Sequence, residues 1–484
     1  MRKTKIAIVK PFDGAPRINL CSCYGASPDK PIILKIPVTG QRPIKYTAKN
    51  LPEGLSLENG IISGKVREEA TYNVTLIAEN ERGCDTKELS LEIRSNTVLI
   101  SPLLGFTTWN AFAFEVTQQD VEETARLMTE LGIREYGYSY VNIDSGWQGE
   151  YGGKFDAIMP NDKFPNMKGL CDKLHAMGFK CGIYSTPMLN AYGCSLDHIP
   201  LPPGCTQGEP DICFSDTQGG IGIIRKEKNN AQQWAEWGFD YLKYDWNPTD
   251  PYNAELMRKE LMDTDRDFGF CVTATAIPEY HNYWEKHCNS YRCDADSDGT
   301  WETLMKIYRT YFDYVDYINK GHYYDLDMLE TGSCEHFYEL RQEDNSNHEL
   351  TEDEQIVAFT IRAFLNSPIQ ISCRLDKITE FELSLYCNEE ILSINQDSGF
   401  FTAKPYIIIE TDDRMLHIFR KKLAGGDIAI AAFNFGNKIE NTTVYLDEIC
   451  AVRDVWAKND LPSTDALKLT LHPHTVQVYR LSQL

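Results

Sequence analysis

Apolar positions recur with two different periods along the chain, and the change of period divides it into three stretches. Over the first hundred residues short runs alternate, as in Ile32 to Ile36, Tyr72 to Ala78 and Leu89 to Ile93, with turn signals at Pro52-Glu53-Gly54 and Glu58-Asn59-Gly60 between them. A period of two, punctuated in this way, predicts a small β-sandwich over residues 1–98. From about Leu103 strand and helix patterns alternate instead. Thr117, with Asp120 three residues on, marks a helix start; Val121, Ala125 and Met128 form its apolar stripe and Gly132 stops it. A strand follows at Tyr140 to Ile143. The cycle returns through Leu170, Leu174 and Met177 to a strand at Lys180 to Tyr184, then through a helix near Ala231 to Trp237 to a strand at Phe239 to Asp245. After about Asn395 the helical period ends, and Met415 to Phe419, Ile428 to Phe433 and Val476 to Leu481 predict an antiparallel β-domain over 395–484.

Repeated βα units across 99–394 call for a parallel sheet, open or closed into a barrel. The placement of polar side chains favours closure. Trp109, Asp144, Tyr184 and Asp245 each end a separate predicted strand, and Arg292 and Asp325 do so further on. Chemistry collected from many strand ends belongs to the top face of a (β/α)8 TIM barrel. The expected fold class is α/β, a TIM barrel between two β-domains.

The run Tyr241-Leu242-Lys243-Tyr244-Asp245 carries the sharpest chemical signal. Side chains alternate along a strand, so Tyr241, Lys243 and Asp245 share one face and Leu242 and Tyr244 the other. A lysine on the same face would hold Asp245 ionised, as a nucleophile requires. A second acid, Asp296, follows Arg292 by four residues; in an apolar cleft it would stay protonated and act as an acid. The competing reading makes Lys243 and Asp245 a structural ion pair inside the barrel.

Composition narrows the partner. With 71 acidic and 48 basic residues the formal charge is −23, which repels phosphate backbones and anionic lipid surfaces, so nucleic acid is not expected and a neutral partner such as a sugar is easier to accommodate. No stretch approaches the roughly 18 apolar residues of a membrane span, so a soluble chain without membrane insertion is expected. The apolar run Ile6 to Val9 ends at Lys10, too short for a secretory signal. The 15 cysteines show no Cys-x-x-Cys spacing, which gives no indication of a zinc site or of a full disulfide framework, although Cys194, Cys205 and Cys213 share one loop in which a disulfide is conceivable.

From Leu104 onward the chain resembles glycoside hydrolase family 27, the α-galactosidase and α-N-acetylgalactosaminidase family. The resemblance is carried by Leu104 to Asn110 (LGFTTWN), Val141 to Trp147 (VNIDSGW), Gly182 to Pro187 (GIYSTP), Leu242 to Asp245, Arg292 with Asp296, Asp325 to Leu329, Ser367-Pro368 and Ile394 to Asp397. The first hundred residues resemble an immunoglobulin-like module attached to some bacterial members. The resemblance implies a retaining exo-glycosidase with Asp245 as nucleophile and Asp296 as general acid/base. It implies that Lys243, Arg292 and Asp144 hold sugar hydroxyls, that Trp109 and Tyr184 form an aromatic wall, and that no metal or other cofactor is needed. The implied partner is an oligosaccharide or polysaccharide, and secretion or periplasmic export is expected from the family alone.

Departures leave the sugar open. Ser145 stands where family α-galactosidases carry a second acid, Ala276 falls where animal-type galactosidases have one, Glu279 follows nearby, Arg374 replaces a usual acid, and Trp246-Asn247 lacks a cysteine found in some relatives. α-N-acetylgalactosaminidase, β-L-arabinopyranosidase and α-glucan hydrolase are therefore alternatives, as is a non-catalytic carbohydrate-binding protein. Asp294-Ala295-Asp296-Ser297-Asp298-Gly299 opens like a calcium loop, but its twelfth position is Met305 rather than Glu. His472 and His474, in a terminal β-domain without nearby acids, read as ordinary surface residues.

Overall fold

A computed structural model describes residues 3–187, 225–246, 249–273, 278–292, 294, 296–334 and 350–484. Eight parallel strands follow one another around the central sheet: Leu104–Thr107, Tyr140–Ile143, Lys180–Ser185, Tyr241–Asp245, Gly269–Thr273, Ser290–Tyr291, Tyr323–Tyr324 and Ile369–Ile371. The eighth pairs with the first, and Leu329, just past the seventh, bridges to Ile371 in parallel, so the sheet closes. This is the expected TIM barrel. Thr117 caps the helix Gln118–Glu130 in a full capping box with Asp120, and Val121, Ala125 and Met128 are buried along it, as the spacing predicts.

Inside the barrel the side chains stack in layers. Leu103, Tyr140, Tyr241 and Cys271 form an apolar plug at the base. Above it Asn142 donates to Gln370 Oε1 at 2.9 Å. Gly182 faces the same level, where an added Cβ would lie 2.0 Å from Asn142 Oδ1 and 2.9 Å from Tyr241, so only glycine fits. The top layer is charged. A polar upper half above a sealed base directs chemistry to one end.

Two β-domains dock on this barrel. In the amino-terminal region a sheet of Cys23–Ala26, Lys45–Lys49, Ala70–Asn80 and Gly83–Ile93 shares one apolar cluster with a sheet of Ile32–Lys35, Leu55–Glu58 and Ile61–Gly64. It sits under the barrel's base. Lys180 Nζ, at the start of the third strand, donates to Tyr24 Oη at 2.7 Å, Ser27 N to Asp267 Oδ2 at 2.7 Å, and Val38 N to Glu135 Oε2 at 3.0 Å. In the carboxyl-terminal region six antiparallel strands between Lys404 and Gln483 form a separate sheet with its own core. Buried Lys421 ties it to the barrel by donating to Asn366 Oδ1 and to Ile394 O.

Candidate active site

The fourth strand separates its two faces as the alternation predicts. Leu242 and Tyr244 are fully buried in the main core, while Lys243 and Asp245 stay partly open on the inner face above Tyr241. Lys243 does not pair with Asp245. Its Nζ lies 2.7 Å from Asp144 Oδ2, and the other oxygen of that carboxylate accepts from Ser145 N at 2.8 Å. Asp144, followed by Asp245 and Asp327, outweighs burial and holds the Lys243 proton well above the ordinary lysine range.

Asp245 accepts its hydrogen bond from Tyr184 Oη at 2.9 Å. Burial pushes the Asp245 carboxyl up to about 6, and Asp296 adds to the rise; Lys243, Arg292 and Tyr184 pull it down without prevailing. Lys243 acts in the expected direction, toward the ionised form, but does not set the outcome. The cation is close but shared with Asp144, and desolvation is the larger effect. At neutral pH Asp245 is still mainly ionised.

Asp296 departs further from expectation. Its side chain is 72% exposed and pairs with Arg292 Nη2 at 2.8 Å, so it does not occupy an apolar cleft. Arg292 itself is buried. It donates through Nη1 to Thr273 Oγ1 at 3.0 Å and reaches Asp327 Oδ2 at 3.1 Å through the nitrogen that meets Asp296. Asp144 with Lys243, Tyr184 with Asp245, and Arg292 with Asp296 thus form three polar pairs at the carboxyl ends of strands two, three, four and six. Trp109 opens the short helix Trp109–Phe112 after the first strand, its ring 4.8 Å from that of Phe114. Tyr184 is 1% exposed; its hydroxyl meets Asp245, and Lys243 Nζ lies over its ring at 5.5 Å from the centroid.

Two family models match the chain. One, described as alpha galactosidase A, covers residues 104–199 and 210–397; the other, described as the alpha galactosidase C-terminal beta sandwich domain, covers 413–481. The chain belongs to the alpha galactosidase A family. It is a glycoside hydrolase of the α-galactosidase type. Alpha-galactosidase 2 of Arabidopsis thaliana is 26% identical over 408 residues, spanning 81% of this chain and 92% of that protein. Among solved structures, a Bacteroides fragilis protein of the alpha-galactosidase/melibiase type is 28% identical with a TM-score of 0.84, covering 98% of this chain and 99% of that one. A GH27 β-L-arabinopyranosidase from Geobacillus stearothermophilus, in complex with arabinose, is 22% identical with a TM-score of 0.68, covering 79% of this chain and 97% of that one, and shares the fold.

Within this family member, sequence reasoning missed three charged residues beside the site. Asp327 anchors Arg292 and accepts from Ser297 N at 2.8 Å, with its own φ at +67°. Buried Arg362 donates to the carbonyls of Leu326, Asp327 and Met328 at 2.7, 3.1 and 3.0 Å. Glu330 lies buried near both. Asp327 had a signal, since Asp325-Leu326-Asp327 repeats the alternation of the fourth strand; Arg362 lies in the middle of an apolar helix and had none. Asp325 is buried at the end of the seventh strand, where burial and then Asp327 push its carboxyl up to about 6.

The remaining candidates resolve simply. Asp294 turns to Thr310 Oγ1 and Lys306 while Asp298 accepts from Thr300 N, so the three acids of the calcium-like run bond to different partners. His474 stacks on Trp301 at 4.1 Å and binds Glu354, which corrects the expectation of a histidine without acids nearby. Arg374 makes a two-pronged pair with Asp376, both contacts at 2.8 Å. Trp246 is buried and donates to Asp250 Oδ2 at 3.0 Å, and Glu279 is exposed. Asn247, Ala276, Cys194, Cys205 and Cys213 lie outside the described residues. The described cysteines are all free thiols.

Proposed function

We propose that the chain is a retaining exo-α-galactosidase in which Asp245 is the nucleophile and Asp296 the general acid/base. The single observation that carries this is Asp245 itself. It sits at a strand end inside the barrel mouth, oriented by Tyr184 Oη at 2.9 Å, with Lys243 beside it but bonded to Asp144. A carboxylate left partly uncompensated is a reactive one.

In the first step the Asp245 carboxylate attacks the anomeric carbon as the bond to the leaving oxygen breaks, and the Asp296 proton passes to that oxygen. In the second, Asp296 takes a proton from water, the hydroxide attacks the anomeric carbon, and the ester to Asp245 breaks. An exposed Asp296 suits both tasks, because it must meet a departing sugar and then water. In this reading Lys243, Arg292 and Asp144 hold ring hydroxyls, Arg292 also orients Asp296, and Trp109 faces the ring. The substrate class is oligosaccharides or polysaccharides ending in an α-galactosyl unit. Among the described residues no helix is long and apolar enough to cross a membrane. We extend the proposal to export of the protein and to a division at 1–98, 99–394 and 395–484, the first part an immunoglobulin-like module.

β-L-Arabinopyranosidase is the second reading, because Ser145 removes an acid at the end of the sugar where galactose and arabinopyranose differ. Initial rates on aryl α-galactoside, α-N-acetylgalactosaminide, β-L-arabinopyranoside and α-glucoside decide. The α-galactoside is expected to give the highest kcat/KM; a higher value on another member would replace the sugar assignment, and binding without turnover would favour a carbohydrate-binding protein.

A further inference from the structure

Glu330 is a buried carboxylate that joins two loops at the rim of the site. Its relative exposure is 8%, and burying such a charge is costly unless the surroundings bond to it. One oxygen accepts from Ser297 Oγ at 3.0 Å. The other faces Asn110 Nδ2 at 3.4 Å, a long contact. Ser297 is the residue after Asp296, and Asn110 the residue after Trp109. Ser297 is held a second time, through its backbone nitrogen to Asp327 Oδ2 at 2.8 Å. Both anchors come from the segment past the seventh strand, which buried Arg362 clamps by three carbonyls and whose acids Asp327, Asp325 and Glu330 all act on the Arg362 charge.

Asp296, by contrast, is exposed. It pairs with Arg292, and Ser297 follows it directly in the chain. We infer that Glu330 is a positioning residue that sets the place of Asp296 through Ser297. The inference rests on the reading of Asp296 as general acid/base. Displacing such a group by about 1 Å costs on the order of 100-fold where proton transfer limits the rate, and little where it does not.

The test compares kcat/KM on two α-galactosides, one with an alkyl leaving group that needs a proton and one with a strongly acidic phenol that does not. Glu330→Leu is expected to lose about 30- to 100-fold on the alkyl substrate and less than about threefold on the aryl one. Glu330→Gln should stay within about threefold on both. Its amide oxygen still accepts from Ser297, and its NH2 meets Asn110 Oδ1 once the Asn110 amide turns over, Oδ1 being a buried acceptor with no partner among the described residues. Ser297→Ala, which removes only the hydroxyl link, should show the same split at about five- to tenfold and serves if the leucine variant does not fold. Equal losses on both substrates would overturn the inference, since that is the signature of a merely structural role. Asp296→Asn separates the two layers. If it shows the split and neither Glu330→Leu nor Ser297→Ala does, the positioning role is wrong; if it shows no split, the acid/base reading fails and takes the inference with it.

Discussion

Asp240 and Asp245 stand at opposite ends of one barrel strand, five residues apart, and their environments drive them in opposite directions. At the base, Asp240 is bonded by Arg266 at 2.5 Å, His175 at 2.8 Å and the Cys181 amide at 2.9 Å. Burial alone would raise it, yet His175, Arg266 and Lys180 hold it at about 2. At the mouth, burial wins and Asp245 rises to about 6. His175, Cys181 and Asp240 also form a group of possible metal-ligand atoms within 4.8 Å of one another. The filled hydrogen bonds of Asp240 make it a structural ion network. Saturating a carboxylate gives stability, and withholding partners from it gives reactivity.

Breaking the reactive end has the largest expected effect. Asp245→Asn should lower kcat/KM by on the order of 10⁴-fold, as loss of a nucleophile does. Its folded state should lose nothing and gain stability at pH 7. The raised carboxyl contributes stability that is fully present below about pH 4 and is lost as pH rises through 6, so removing the charge recovers up to about 3 kcal/mol, less where the open mouth admits water. Denaturant melts at pH 7 measure the gain. Breaking the saturated end is the next test. Asp240→Asn should cost about 3–5 kcal/mol of stability while kcat/KM per folded molecule stays close to the parent. The sign with pH is opposite, since stability from Asp240 is present above about pH 4 and lost as pH falls through about 2.

Smaller effects sharpen the contrast between the two ends. Lys243→Met should lower kcat/KM by about 100-fold, because Asp144 is left as an unpaired buried carboxylate and Asp245 loses its nearest cation. Tyr184→Phe should act mainly on the pH profile. The Tyr184 hydroxyl pulls Asp245 down, so without it the acid limb of kcat/KM, expected near pH 6, moves upward, and the rate at pH 7 falls by a few-fold. An acid limb that stays in place would mean that Asp245 does not govern it.

This contrast also marks where the sequence was legible. The period changes near Leu103 and Asn395, the strand Tyr140–Ile143 and the capping box at Thr117 are all local, and the structure carries them as read. The face assignment of Tyr241, Lys243 and Asp245 followed from alternation alone. What alternation cannot supply is which cation meets which acid across strands. Strand alternation sets Lys243 against Asp245, two residues away, whereas the side chain meets Asp144, 99 residues away. An acid catalyst is expected in an enclosed cleft, yet Asp296 lies exposed on a loop that residues 327 and 330 hold at Ser297. Glu330 and Arg362 act through tertiary contacts and carried no signal. Asp240 was passed over for the same reason, since its partners come from a helix, a strand edge and a later loop.

Trapping the glycosyl-enzyme ester tests the central claim most directly. The protein would be incubated with a fluorinated α-galactosyl fluoride that forms the ester quickly and releases it slowly, then digested and mapped by mass spectrometry. One added fluoro-galactosyl unit on the peptide that contains Asp245, fragmented to place it on Asp245 itself, with none on the Asp245→Asn variant, is the predicted result. A label on another carboxylate, or turnover with inversion and no label, would contradict it.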